Sequence, residues 1–389
     1  MTAATPPTPT LPLVLPRPRR FFRELDRPGL IVSNLTPNWF ASIMGTGIVA
    51  TAAAGSPWQF PGLRFGATIV WAGAAVLLVA LTVATALHWR LHRSTARGHV
   101  SNPIAGHFYG APPMAVLTVG AGTLLLGKDW IGVDAAVTVD WVLWSIGTVA
   151  GLLSAVLIPY VAFTRYRSTP EAAFGGWLMP IVPPMVSAST GALLLPYAPA
   201  GQVRATLLWA CYGFFGLSLV ASLAVIGLIW GRLVHHGVGA PAMVPTLWIV
   251  LGPVGQSITA VNLLAENARS ATDAGTARAL LVLALVYGFA MLGFALLWTV
   301  IALAVTVRTS RRHLPFSLTW WSFTFPVGTC VTGLNGLALH SGLVAVQVLS
   351  VVFLAGLVAA WAVVAVRTFR GSVLSGALLA PPPAALPSR

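Results

Sequence analysis

Eight hydroxyl side chains recur at matched spacing in this chain, each within a turn or two of a proline. Pro113, Pro184, Pro253 and Pro326 lie about 70 residues apart. They are followed in turn by Thr118; by Ser187, Ser189 and Thr190; by Ser257 and Thr259; and by Thr329 and Thr332. A fifth copy, Ile43-Met-Gly-Thr-Gly-Ile-Val-Ala50, sits one period upstream, lacks the proline and contributes Gly45, Thr46 and Gly47. Each copy has Met or Val at its second position and Gly or Ala seven positions after its first. Proline removes a helix N–H and crowds the carbonyl four residues back, so it kinks a helix interior. In lipid the freed carbonyl needs a partner. A neutral hydroxyl can serve it, or can donate to a solute without bringing a permanent charge. Fixed-period repetition of such a unit in apolar sequence predicts helical hairpins around a shared pore. The expected pore lining is Gly45, Thr46, Gly47, Pro113, Thr118, Pro184, Ser187, Pro253, Thr259, Pro326 and Thr332.

Other candidates for chemistry fall away. Gly122-Thr-Leu-Leu-Leu-Gly127-Lys128 has the spacing of a phosphate-binding loop, but Asp129 stands where Ser or Thr is required and no strand precedes it. His88 and His92 suit a metal pair on a helix. They read instead as interfacial histidines, because no motif supplies a third ligand. Asn34-Leu-Thr36 matches a glycosylation acceptor but falls on the cytoplasmic side. No acid, base and nucleophile converge in the apolar segments, so neither an enzyme nor a cofactor is expected. No Asp, Glu, Lys or Arg lies near the centre of a predicted span. Asp140 and Glu266 fall at helix ends, where interfacial solvation accounts for them. A buried carboxylate for proton coupling therefore has no candidate.

The elements that must position these residues are membrane helices. Hydrophobic residues make up 57% of the chain and charged residues 8%, against roughly 25% charge in soluble domains. Mean hydropathy is +0.84. Windows of about 20 apolar residues predict ten helices, at 38–54, 65–89, 108–126, 139–163, 174–195, 204–230, 243–265, 278–306, 319–339 and 343–366. The fold class is all-α, ten transmembrane helices in five hairpins around a central pore. Odd helices should line a hydrated interior and even ones face lipid. Gly147-x-x-x-Gly151 reads as a close-packing motif.

Every basic residue except Arg64, Lys128, Arg204, Arg269 and Arg278 lies in a terminus or in a loop after an even-numbered helix. Both termini are therefore expected in the cytoplasm. The same selection accounts for the net charge of +14 without a nucleic-acid partner. Residues 1–28 read as a disordered basic cytoplasmic arm rather than a signal peptide. Residues 29–370 form the membrane domain, and 371–389 a low-complexity cytoplasmic tail. Cys211 and Cys330, both in predicted spans, read as small buried apolar residues.

The run Pro37-Asn-Trp-Phe-Ala-Ser-Ile-Met-Gly-Thr-Gly47 resembles the first-helix signature of the tellurite-resistance/dicarboxylate transporter family. That family includes bacterial tellurite-resistance membrane proteins, fungal malic acid transporters and sulfite pumps, and plant slow-type anion channels. His107-Phe-Tyr-Gly-Ala-Pro-Pro-Met114, Trp177-Leu-Met-Pro-Ile-Val-Pro-Pro184, Gly252-Pro-Val-Gly255 and Trp320-Trp-Ser-Phe-Thr-Phe-Pro326 extend the likeness across roughly residues 30 to 370. The resemblance implies a plasma-membrane homotrimer with one pore per protomer. It also implies passage of small anions such as malate, sulfite or inorganic ions, and a ninth-helix phenylalanine as gate. That gate falls on Phe325, with Phe323 as the alternative. The pre-proline positions of the five repeats are Ser42, Pro112, Pro183, Gly252 and Phe325, so only one of them is bulky. The short termini make phosphorylation-driven gating of the plant kind unexpected. Channel-like passage is favoured over a proton-linked carrier by the missing buried carboxylates, although hydrogen malate or bisulfite carries its own proton.

Overall fold

In the computed structural model, which describes residues 21–25, 27–165 and 168–380, short helices alternate with long ones. The first pair is α1 (Ala41–Ala54) and α2 (Leu63–Leu91), followed by a connecting helix α3 (Arg93–Val100). In the second, α4 (Ala111–Gly122) runs through a π-helical turn at Thr123–Gly127 into α5 (Lys128–Ile131), and α6 (Val133–Arg165) returns. The remaining pairs are α7 (Pro183–Leu194) with α8 (Gln202–His236), α9 (Leu251–Asn267) with α10 (Ala274–Ser310), and α11 (Phe325–Ser341) with α12 (Val344–Phe369). No strand occurs among the described residues.

The short helices α1, α4, α7, α9 and α11 each pack on the next, and α11 closes back on α1, so they form a ring. Each long helix packs outside its own partner and against a neighbouring short helix. Among the described residues, seven segments are long and apolar enough to cross a membrane: the five outer helices, and two inner ones counted with their flanking turns, Ala105–Ile131 and Pro241–Ser270. The helices α1, α7 and α11 have only 14, 12 and 17 residues. Their lead-in segments are 3₁₀ turns rather than continuous α-helix. The described helices fall into five short–long pairs, and the inner members α1, α7 and α11 are not among the segments long enough to count as spans.

Those lead-ins explain the prolines. Pro37–Phe40, Ala105–Gly110, Gly175–Leu178, Pro241–Val250 and Leu318–Phe323 are 3₁₀ segments, each placed just before an inner helix. Pro113, Pro184, Pro253 and Pro326 then fall within the first three residues of α4, α7, α9 and α11. First-turn N–H groups have no intrahelical acceptor, so a missing one costs nothing there. The expectation of a mid-helix kink is corrected: the prolines start the α-helices. The nearby hydroxyls mostly bond back within their own helices, Thr118 to Met114 O at 2.7 Å, Thr190 to Val186 O at 2.9 Å and Ser257 to Val254 O at 2.7 Å. One break is bridged from outside. Ser218 of α8 accepts the Met185 N–H at 3.0 Å and donates to Ile181 O at 2.7 Å.

Small residues let the ring close tightly. At Gly255 in α9 an added Cβ would stand 2.5 Å from the backbone nitrogen of Cys330 in α11. Gly147 and Gly151 of α6 seat Leu117 and Pro183 of the two inner helices they face, as a close-packing motif requires. Outer-helix tryptophans tie the layers together. Trp71, Trp144 and Trp298 donate indole N–H bonds to Val119 O, Ser187 O and Leu247 O, and Trp361 to Thr46 Oγ1. A buried indole needs such a partner.

The folded body extends beyond the limits read from composition. Phe22 N and Glu24 N bond to Val373 O and Ser375 O at 3.0 and 2.7 Å, and Leu25, Leu35, Trp39 and Leu379 share a buried cluster. The inner ends of the 1–28 arm and the 371–389 tail are therefore paired with each other. Residues 1–20, 26 and 381–389, and Arg167 of the basic loop after α6, lie outside the described residues.

Candidate functional site

The inner ring surrounds a cavity of about 680 Å³, bordered by side chains from all five inner helices. Arg64, Lys128, Glu266 and Gln347 border it where the inner helices end and the outer ones begin. At the opposite end of the ring, its lining includes Phe325, the first residue of α11, which is 2% exposed. Between them lie Thr118, Ser189, Thr190, Gln256, Thr259 and Thr332.

The polar wall is largely satisfied by itself. Thr118 and Thr190 donate to carbonyls of their own helices. Gln256 Nε2 donates to Ser189, whose hydroxyl lies 2.9 Å from Val186 O. Thr259 and Thr332 hydroxyls are 2.7 Å apart. Asn262 donates to Ile258 O at 2.9 Å, and its Oδ1 is 2.8 Å from His340 Nδ1. Asn335 donates to Ala52 O and accepts Ser350 at 2.5 Å. Gln256 Oε1 has no hydrogen-bond partner among the described residues; most of the other polar groups are already engaged, an arrangement suited to weak binding and release. The charges among the lining residues are confined to the mouth. There Arg64 pairs with Asp129 at 2.5 Å and donates to Leu125 O at 2.9 Å.

Of the residues expected to line or gate the pore, Thr118, Thr259, Thr332 and Phe325 border the cavity, and so do Ser189 and Thr190 of the recurring hydroxyls. The others are buried between helices. Gly45 packs on Trp321 and Thr324, and Gly47 on Thr118 and Ala74. Thr46 receives the Trp361 indole. Ser187 donates to Pro183 O at 3.3 Å, and Pro113, Pro184, Pro253 and Pro326 occupy helix starts. Phe323 lies away from the cavity, its ring edge-on to Trp248 and Trp320 with centroids 5.7 and 5.6 Å apart. Arg367 caps Trp320 at 4.8 Å from its centroid.

Sequence reasoning missed Gln256, Asn262 and Asn335. Asn262 and Asn335 each fall nine positions after a repeat proline, Pro253 and Pro326, so a repeat alignment carried two residues further would have exposed them.

Two further readings are corrected. Asp140 is not solvated at an interface. It is 0% exposed, packs against Gly120 of α4, and neither carboxyl oxygen has a hydrogen-bond partner among the described residues. Glu266, by contrast, is exposed at the end of α9. His88, read as interfacial, is enclosed by protein rather than exposed among the arginines: it is 1% exposed and its Nδ1 lies 2.8 Å from Val32 O. Its ring stacks on His92 and on His99 at 6.2 and 5.3 Å. Burial, and secondarily the neighbouring His88, holds the His99 imidazole below its usual proton affinity. No set of three metal-ligating side chains occurs among the described residues.

A profile of the voltage-dependent anion channel family matches residues 34–369. An uncharacterized transporter of Methanocaldococcus jannaschii is 27% identical over 302 residues, 77% of this chain and 83% of its own. The sulfite efflux pump of Arthroderma otae is 25% identical over 343 residues, covering 86% and 90%. The malic acid transport protein of Schizosaccharomyces pombe is 22% identical over 309 residues, covering 76% and 68%.

Proposed function

Because the chain belongs to the voltage-dependent anion channel family and is a multi-pass membrane protein of an anion-transporting group, we propose that small anions pass down their gradient through the centre of the inner ring. Malate-like dicarboxylates, sulfite and inorganic anions are the substrate class. Phe325 is the gate. The observation that carries this reading is that one cavity touches all five inner helices and has Phe325 in its lining at the end opposite the charged mouth. An aromatic ring across a narrow apolar neck stops hydrated ions by excluding water. The self-satisfied wall supports channel-like passage, since no fixed charge at mid-depth holds the anion. At the mouth Arg64 is paired with Asp129, and Glu266 lines the cavity as Lys128 does, so the formal charges there balance.

The rest of the assembly follows the charge pattern and the family likeness. The chain crosses the plasma membrane ten times, with both termini cytoplasmic and the mouth facing outward. Three copies associate, each with its own pathway.

The test is flux in proteoliposomes of chloride, nitrate, sulfite and malate, with and without a pH gradient. Phe325→Ala should raise flux at least about tenfold, equivalent to about 1.4 kcal/mol of barrier, without needing the gradient. Phe323→Ala, which changes a ring outside the cavity, should leave it near wild type. No gain at Phe325, or strict dependence on a proton gradient, would replace this reading with a proton-linked carrier.

A further inference from the structure

Asp140 is a group the anion pathway does not use. It stands seven residues into α6, about two turns or 10 Å below the start of that helix. Its side chain is wholly buried, and both oxygens lack hydrogen-bond partners among the described residues. It faces α4. A Cβ placed on Gly120 would come 2.5 Å from Asp140 Oδ1 and 3.2 Å from Leu143 Cβ, so the absence of a side chain at position 120 makes room for the carboxyl. The same short stretch of α4 presents Thr118 and Ala121 to the cavity. One face of α4 therefore touches the anion path and another touches the acid.

Nothing around Asp140 compensates a negative charge. The inner helices α4 and α7, which pack on α6, carry no titratable residue, and neither does the π-helical turn. Lys128 and Asp129 come from α5; Lys128 borders the cavity and Asp129 is paired with Arg64. On α6 itself, Asp134 is exposed and Arg165 is the last residue of the helix. His107 and Tyr109 lie in the lead-in to α4, and Tyr212 lies on α8. None of these bonds to Asp140 among the described residues. An ionised carboxylate sealed in this interface without water or a counterion would be strongly unfavourable. Thr148 and Ser154 of α6 also have buried hydroxyls without partners, but Asp140 is the one among them whose proton is acidic.

We propose that Asp140 is a proton-binding site that regulates the pathway through α4. The carboxyl is neutral while α4 and α6 are closed on each other. Losing its proton to water, leaving a carboxylate, requires that interface to part. Proton occupancy and the position of α4 are then linked, and each biases the other. The proton is a regulatory ligand rather than a passenger, because Asp140 is behind the cavity wall and not on it. The consequence for flux rests on the transport reading above; the proton site itself does not.

Two measurements on the full-length reconstituted protein separate these. Infrared difference spectroscopy on wild type should show a carboxylic-acid C=O band at neutral pH that is lost at alkaline pH, and Asp140→Asn should lack it. This readout needs no transport. Flux is then measured with chloride and nitrate, whose charge is fixed, whereas sulfite and malate titrate themselves. Wild-type rates should differ at least about fivefold between acidic and alkaline pH, the lower end of typical coupling. Asp140→Asn, and independently Asp140→Leu, should run at the wild-type acid rate at both. A missing acid band, or variants that keep the wild-type pH dependence, would overturn the proposal. If wild type passes neither anion, the transport reading fails and the infrared band alone decides the site.

Discussion

Of the apolar stretch that runs through α4, 83% is buried inside the protein, whereas in α6, packed beside it, the share is 22%. The two helices meet the bilayer in opposite ways. The outward face of α6 is a field of exposed valine, leucine and isoleucine, because lipid is its solvent. The inner helix has Gly, Ala, Thr or Pro at eight of its twelve positions and sits among other helices on nearly every side. In a soluble protein the most apolar segment marks the core. Here it marks the periphery, and the interior is recognised by small residues and hydroxyls that allow close approach.

This contrast is best tested by substitutions graded by layer. The largest effect on folding is expected in the inner ring, at Gly255→Ala, whose added methyl would meet the α11 backbone. Overpacking against backbone should cost roughly 2–3 kcal/mol, seen as a marked drop in the melting midpoint of the detergent-solubilised protein. An unchanged midpoint would mean the ring is loose enough to widen. Between the layers, Ser218→Ala removes the hydroxyl that bridges Met185 N and Ile181 O. About 1–2 kcal/mol should be lost, while Ser218→Thr, which keeps the hydroxyl, should recover part of it. The smallest effect belongs on the lipid face. Val220→Ala, at a position 70% exposed, should stay within about 0.5 kcal/mol. A loss as large as that of Ser218→Ala would place Val220 in a contact between copies of the chain.

The repeat made the inner layer legible before any coordinates, because proline, hydroxyl and small residues recur in register. What it did not convey was their local role. Proline in an apolar segment reads equally as a kink or as a helix start, and only the 3₁₀ lead-ins distinguish the two. Gly45, Gly47 and Ser187 were expected on a pore wall and are instead spacers, since a small residue lets a helix approach as readily as it lines a gap. Asp140 was misread for a geometric reason. The apolar window begins at residue 139, which puts the acid at a helix end, yet α6 begins at Val133 and carries it two turns inward. Thr118, Thr259 and Thr332 border the cavity, because hydroxyls in register on neighbouring helices converge.

The bonding of Phe22–Glu24 to Val373–Ser375 bears on the topology of the whole chain. The ring of five units is joined covalently at four places and, at the fifth, by the meeting of its two ends. Its order therefore has no privileged beginning. A short linker joining those ends, with new termini opened in the Gly237–Ala240 segment between α8 and α9, would give a circular permutant that keeps every inter-helix contact. Such a chain would start at the fourth unit and end at the third.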